Sequence, residues 1–164
     1  MSDYYDYVIH CELPHTVPQQ IVDTLQYMTR VSDYSFDSPP DHPFFEAGEK
    51  DLGEPWRIIL RPDPNEDLGY FARFFRLDSP RYEWGPDYDP PYVLDFRLNI
   101  QDDAEGDIWN LLRWLASVSQ TRGFVGYSLL QDGGFSHPTL WYFRDGQLLR
   151  YRVTTANGAP DISA

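Results

Sequence analysis

From Tyr92 to Ile100 apolar and polar residues alternate. Tyr92, Leu94, Phe96, Leu98 and Ile100 share one parity, and Val93, Asp95, Arg97 and Asn99 the other. Period two is the mark of a strand with one buried face. The pattern then changes period. Ile108, Leu111, Leu112, Leu115 and Val118 recur at helical spacing and predict an amphipathic helix. Asp102 or Asp103 is its expected N-cap, Glu105 and Asp107 suit its positive end, and Gly123 its stop, with Arg122 near the negative end.

A second copy of this strand–helix unit opens the chain. Tyr5, Tyr7, Ile9, Cys11 and Leu13 alternate with Asp6, Val8, His10 and Glu12, and Pro14 ends the strand. Thr16 is the expected cap and Pro18 falls in the first helical turn, which tolerates its missing N–H. Ile21, Val22, Leu25 and Met28 give a short helical stripe ending near Arg30.

The remaining elements read as strands and turns. Tyr34–Phe36 is a short strand candidate, the Pro-rich 38–43 stretch breaks any element, and Phe44 and Phe45 tuck beneath the loop. Strands are expected over 56–61 and 70–77, joined by a polar loop at 62–69. Residues 124–130 form the next strand, followed by a turn at Gly133-Gly134. A hairpin pairs 139–144 with 147–153 across Asp145-Gly146, because both turn residues tolerate positive φ. Residues 154–164 read as a frayed tail.

Taken together the order is β-α-β-β-β, twice. The expected fold is α+β: two tandem repeats, 1–78 and 92–153, joined by a Pro-rich linker at 79–91, forming one antiparallel sheet with two helices on one face. The opening strands of the two halves would pair antiparallel at the centre of the sheet. That arrangement sets Glu12 against Arg97 and His10 against Asp95, since oppositely charged cross-strand neighbours attract.

Composition narrows the function classes. Aromatic residues make up 16% of the 164 positions, which argues for a folded chain. The net charge of −13 opposes binding to nucleic acid or to anionic membrane surfaces, and favours solubility or a basic partner. Lys50 is the single lysine against twelve arginines; arginine is the better cation beside carboxylates and tyrosine rings. The single cysteine, Cys11, excludes an intramolecular disulfide. With no apolar leader and no apolar run of membrane length, a cytoplasmic location is expected.

No motif names a reaction. His10 and Cys11 are neighbours in a strand and point to opposite faces, so no metal site is expected from them or from His15. Asp63-x-Asn65-x-Asp67 resembles the start of a calcium loop, but Phe74 stands where a bidentate Glu belongs. Phosphate-binding and dinucleotide motifs are absent, and no cofactor is expected.

The candidate site is therefore the polar face of the sheet: His10, Glu12, Asp95 and Arg97, with Arg57, Arg61 and either Arg73 or Arg76 in reach. A solvated face laced with cross-strand ion pairs is the plainer account of the same residues. The expected function is a non-enzymatic protein-interaction module, with an immunity-type or antitoxin-like inhibitor of a basic partner fitting the size and charge. The rival is an enzyme or small-ligand module using those four side chains.

Overall fold

The structure, a computed structural model, describes residues 3–29, 60, 70–77, 90–131, 137–153 and 161–163. Among the described residues seven strands form one antiparallel sheet. In chain order the elements are β1 (Tyr4–Leu13), α1 (Gln19–Met28), β2 (Phe71–Arg76), β3 (Tyr92–Gln101), a 3-10 turn (Asp102–Ala104), α2 (Glu105–Val118), β4 (Gly123–Leu130), β5 (Thr139–Arg144), β6 (Gln147–Arg152) and β7 (Asp161–Ser163). Across the sheet they run β2-β3-β1-β4-β5-β6-β7.

The two alternating stretches at positions 4–13 and 92–101 become the long central pair. Their register runs from Tyr4↔Gln101 to Leu13↔Tyr92. Tyr7, Ile9, Cys11 and Leu13 therefore share a face with Leu94, Phe96, Leu98 and Ile100, and all eight are buried. Both helices add their apolar stripes to the same cluster, through Leu25 and Met28 of α1 and Ile108, Leu111, Leu112 and Leu115 of α2. The core thus lies between one sheet face and two helices, as the two periodicities predict. Among the described residues no helix is long and apolar enough to cross a membrane.

Several local expectations are corrected. Thr16 does not cap α1: residues 15–17 are consumed in a turn closed by Val17 N–H donating to the Pro14 carbonyl at 3.0 Å. Pro18 takes the cap position, without a side-chain cap bond. Asp102 and Asp103 lie inside the 3-10 turn that runs straight into α2, and the Asp102 N–H is drawn to the Asp3 carbonyl at 2.9 Å, extending the β1–β3 pairing. Gly123 does not end α2, which stops at Val118; it opens β4 with φ +107°. The expected tail contains β7, whose Ile162 pairs with Tyr151; a three-residue strand with one apolar position carries no readable alternation.

The tandem repeat is not confirmed. The opening strands do pair at the centre, yet the strand outside β3 is β2, the last strand expected of the first half, whereas the strand outside β1 is β4, the first to follow α2. The expected strands at 34–36 and 56–61, the 62–69 loop, the Gly133-Gly134 turn, Phe44 and Phe45 lie outside the described residues, except Leu60, which is buried in the core. Most of the 79–91 linker does too.

Candidate functional site

The outer face of the sheet, opposite the helices, divides into two halves of different chemistry. The half on β2, β3 and β1 is charged. Arg73 is the cross-strand partner of Asp95, and Asp95 of His10. The Arg73 guanidinium donates to Asp95 Oδ2 at 3.0 Å, and His10 Nδ1 lies 4.0 Å from Asp95 Oδ1. Arg73 and His10 are both more than 60% exposed, so water screens both contacts.

Two of the four expected site residues, His10 and Asp95, are thus brought together. The other two are not. Glu12 stands opposite Val93 and Arg97 opposite Val8. Val93 and Arg97 are four residue steps apart along β3, about 13 Å of strand. One antiparallel register cannot hold both expected pairs. With His10 opposite Asp95, setting Glu12 against Arg97 would need the strands slid by four residues, an even shift that keeps the same side chains buried but leaves the ends of β1 and β3 without backbone partners. Glu12 instead joins the loop after α2. Its carbonyl accepts from Gln120 N–H at 2.9 Å and Ser119 Oγ at 2.6 Å, and its own N–H donates to Thr121 Oγ1 at 2.8 Å.

Arg97 turns to Asp6, its NH2 lying 3.6 Å from Oδ2. Asp6 is the hub of this half. Its Oδ1 accepts from Gln131 Nε2 at 2.9 Å, Asn99 Nδ2 at 3.0 Å and the Tyr70 hydroxyl at 3.1 Å. The Tyr70 phenol is raised above its ordinary pKa, foremost by burial, with the Asp6 charge adding to it. Four segments meet on one carboxylate: β1, β3, the residue before β2 and the residue after β4. Three donors from the chain itself converge on Oδ1, which suits bracing rather than acid–base work. Arg57 and Arg61 lie outside the described residues, and Arg73, not Arg76, reaches the Asp95 side of this face.

The half on β4, β5 and β6 is apolar and aromatic. Tyr127 faces Val8 on one side and Leu140 on the other, and Leu140 faces Tyr151. In the next row Phe124 faces Tyr142, and Tyr142 faces Leu149. The rings form an edge-to-face ladder: Phe124 and Tyr142 centroids lie 5.5 Å apart, Tyr142 and Tyr151 4.9 Å apart. Phe124 is 54% exposed and Tyr127 38%. β5 also carries Trp141 and Phe143 on its other face, both buried in the core. The strand is therefore apolar on both faces, the pattern of a strand meant to be covered on both. That signal is legible in Leu140-Trp-Tyr-Phe143 and Leu148-Leu149, two stretches without a titratable cluster.

A bulge between Phe124 and Gly126 makes this surface. It breaks the alternation of β4, so that Val125 is buried in the core while Phe124 and Tyr127 both face outward.

Among the described residues no group of three His, Cys, Asp or Glu side chains is placed to hold a metal ion. Cys11 is fully buried, and burial pushes its thiol up to about 12. No protein-family model, no curated protein and no solved structure matches the chain.

Proposed function

We propose that the chain is a non-enzymatic protein-interaction module that docks its partner on the aromatic half of the outer sheet face. The observation that carries this reading is the contiguous surface of Phe124, Tyr127, Leu140, Tyr142, Leu149 and Tyr151, on the face opposite both helices. Tyrosine-rich, rigidly held surface of this kind supplies large contact area at small entropic cost, and such residues dominate interface hot spots. A sheet held from behind by a buried core presents it without rearrangement.

An immunity-type or antitoxin-like inhibitor is the form of this reading that best suits a small, acidic chain. The enzyme or small-ligand reading around His10, Glu12, Asp95 and Arg97 has less support, because the strand register keeps Glu12 and Arg97 apart and the His10–Asp95–Arg73 row is open to water. Descent from a duplicated β-α-β-β-β unit is a separate proposal; the central pairing of β1 with β3 supports it and the differing outer strands weigh against it.

Affinity capture from a lysate of the source cells tests the reading when wild type and a Phe124→Ser/Tyr127→Ser variant are compared side by side. A partner that is retained by wild type, lost by the variant and rebinds when purified supports docking on this half. A purified partner that binds both equally contradicts it.

A further inference from the structure

The aromatic half differs from the rest of the molecule in how its rings are covered. On or beside other strands and on α2, several rings carry one of the chain's own arginines. The Arg73 guanidinium stands 4.6 Å from the Phe71 centroid, Arg97 5.7 Å from Tyr70, and Arg150 4.5 Å from Trp109. Among the described residues no cation lies over Phe124, Tyr127, Tyr142 or Tyr151. Ring faces carry negative potential, and a desolvated cation over one is favourable.

The charge around this half has a direction. Two carboxylates of the neighbouring half are already matched, Asp95 by Arg73 and Asp6 by Arg97, so docking over them would have to break local pairs. The aromatic half carries no carboxylate among its described outward residues on β4, β5 and β6, and its outward cation, Arg144, stands at the hairpin end beside the Asp145 carboxylate at 3.8 Å. A cation arriving on it leaves no buried carboxylate unpaired, while the chain's −13 draws that cation in from a distance. The same charge sets two copies of this chain against each other, which disfavours self-association through this face.

We infer that the partner presents a basic segment in which arginine or lysine alternates with apolar residues, the cations lying on the rings of Tyr127 and Tyr142 and the apolar residues covering Leu140 and Leu149. This inference rests on the docking reading above and adds the chemistry of the partner.

A random-peptide display library selected against the folded protein tests it, with Tyr127→Leu and Tyr142→Leu variants as counter-targets. Leucine keeps the surface apolar and removes only the ring. The expected result is enrichment of peptides carrying Arg or Lys beside Leu or Phe, whose binding falls five-fold or more on each variant and weakens with added salt. Near-ultraviolet circular dichroism confirms that the variants fold, and Tyr127→Leu alone, at an exposed position, serves if Tyr142→Leu does not. Neutral or acidic peptides that lose binding to Phe124→Ser/Tyr127→Ser would overturn the basic partner and leave the docking face standing. Basic peptides that bind wild type and all variants equally would reduce the effect to overall charge and overturn the inference. Absence of any enriched sequence would overturn both.

Discussion

Asp6 and Asn99 face each other across β1 and β3, and the Asn99 side-chain amide donates to Asp6 Oδ1 at 3.0 Å. The same oxygen receives Tyr70 and Gln131, so one carboxylate ties together the segments on both sides of the central strand pair. Asp6→Ala leaves three donors without their acceptor. The expected loss is about 1–3 kcal/mol, read as a lower denaturant midpoint. Asp6→Asn keeps one acceptor oxygen and is expected to lose less. Equal losses for the two substitutions would show that the charge toward Arg97 matters and the hydrogen bonds do not.

Tyr7 gives the opposite sign. Its ring is stacked on Trp141 with centroids 6.1 Å apart, and its hydroxyl is buried beside Trp109 Nε1 without a well-formed hydrogen bond for either group. Removing an unsatisfied buried hydroxyl while keeping the ring costs little. Tyr7→Phe is expected to leave thermal stability unchanged or to raise it by up to about 1 kcal/mol. A loss above that would mean the hydroxyl holds a partner in solution.

Gly126 lies where β4 packs directly against the β1 backbone. A Cβ there would collide with the Val8 carbonyl oxygen and crowd the Ile9 Cα, and φ is +154°. The obstacle is backbone, so no side-chain rotation relieves it. Gly126→Ala is expected to destabilise by at least about 2 kcal/mol and to speed amide exchange along Tyr5–Ile9. Gly106→Ala is the control, since nothing lies within 4 Å of its Cβ position, and a helical alanine there is expected to stabilise slightly. Similar effects at the two positions would rule out the close β1–β4 approach.

Stability is expected to fall at alkaline pH. Burial raises the Cys11 thiol from 9.0 to about 12, and raises the Tyr5, Tyr7 and Tyr70 phenols above 10.0. Each such group is neutral in the folded chain at pH values where the unfolded chain ionises it. Its contribution is complete below the unfolded pKa and is lost progressively above it, from about pH 9 upward. Denaturant titrations at pH 7, 9 and 10.5 check this, and a midpoint that does not move over that range would contradict it. Reaction of Cys11 with a thiol reagent should likewise follow global unfolding, not local exposure.

Much of the frame was readable because two periods carry it. Alternation at Tyr5–Leu13 and Tyr92–Ile100, helical spacing at Ile108–Val118 and Asp145-Gly146 at the hairpin are local signals that the packed structure keeps; both turn residues have positive φ, 52° and 75°. Register was not readable from charge. Glu12 and Arg97 look complementary in sequence, but an outer-face pair is worth at most about 1 kcal/mol, while the four-residue slide that would pair them keeps the same face buried and gives up backbone hydrogen bonds at both ends of the β1–β3 pair. Which of His10, Asp95 and Arg97 would meet was therefore set by the full-length backbone pairing of Tyr4–Leu13 with Tyr92–Gln101, which charge alone does not reveal. The bulge at Phe124 was not read: Phe124-Val-Gly-Tyr127 breaks strict alternation and holds a glycine inside a strand, but only the β4–β5 register and the close approach of Gly126 to β1 show which residues turn outward.

Hydroxyl-radical footprinting of the reconstituted complex with its captured partner bears most directly on the docking face, because the label reads aromatic side chains one by one. Protection of Phe124 and Tyr127 is expected, with Phe75, exposed at 43% on the charged half of the same face, still labelled as in the free protein. Protection of Phe75 with Phe124 and Tyr127 left open would place the partner on the His10–Asp95 side and contradict the account.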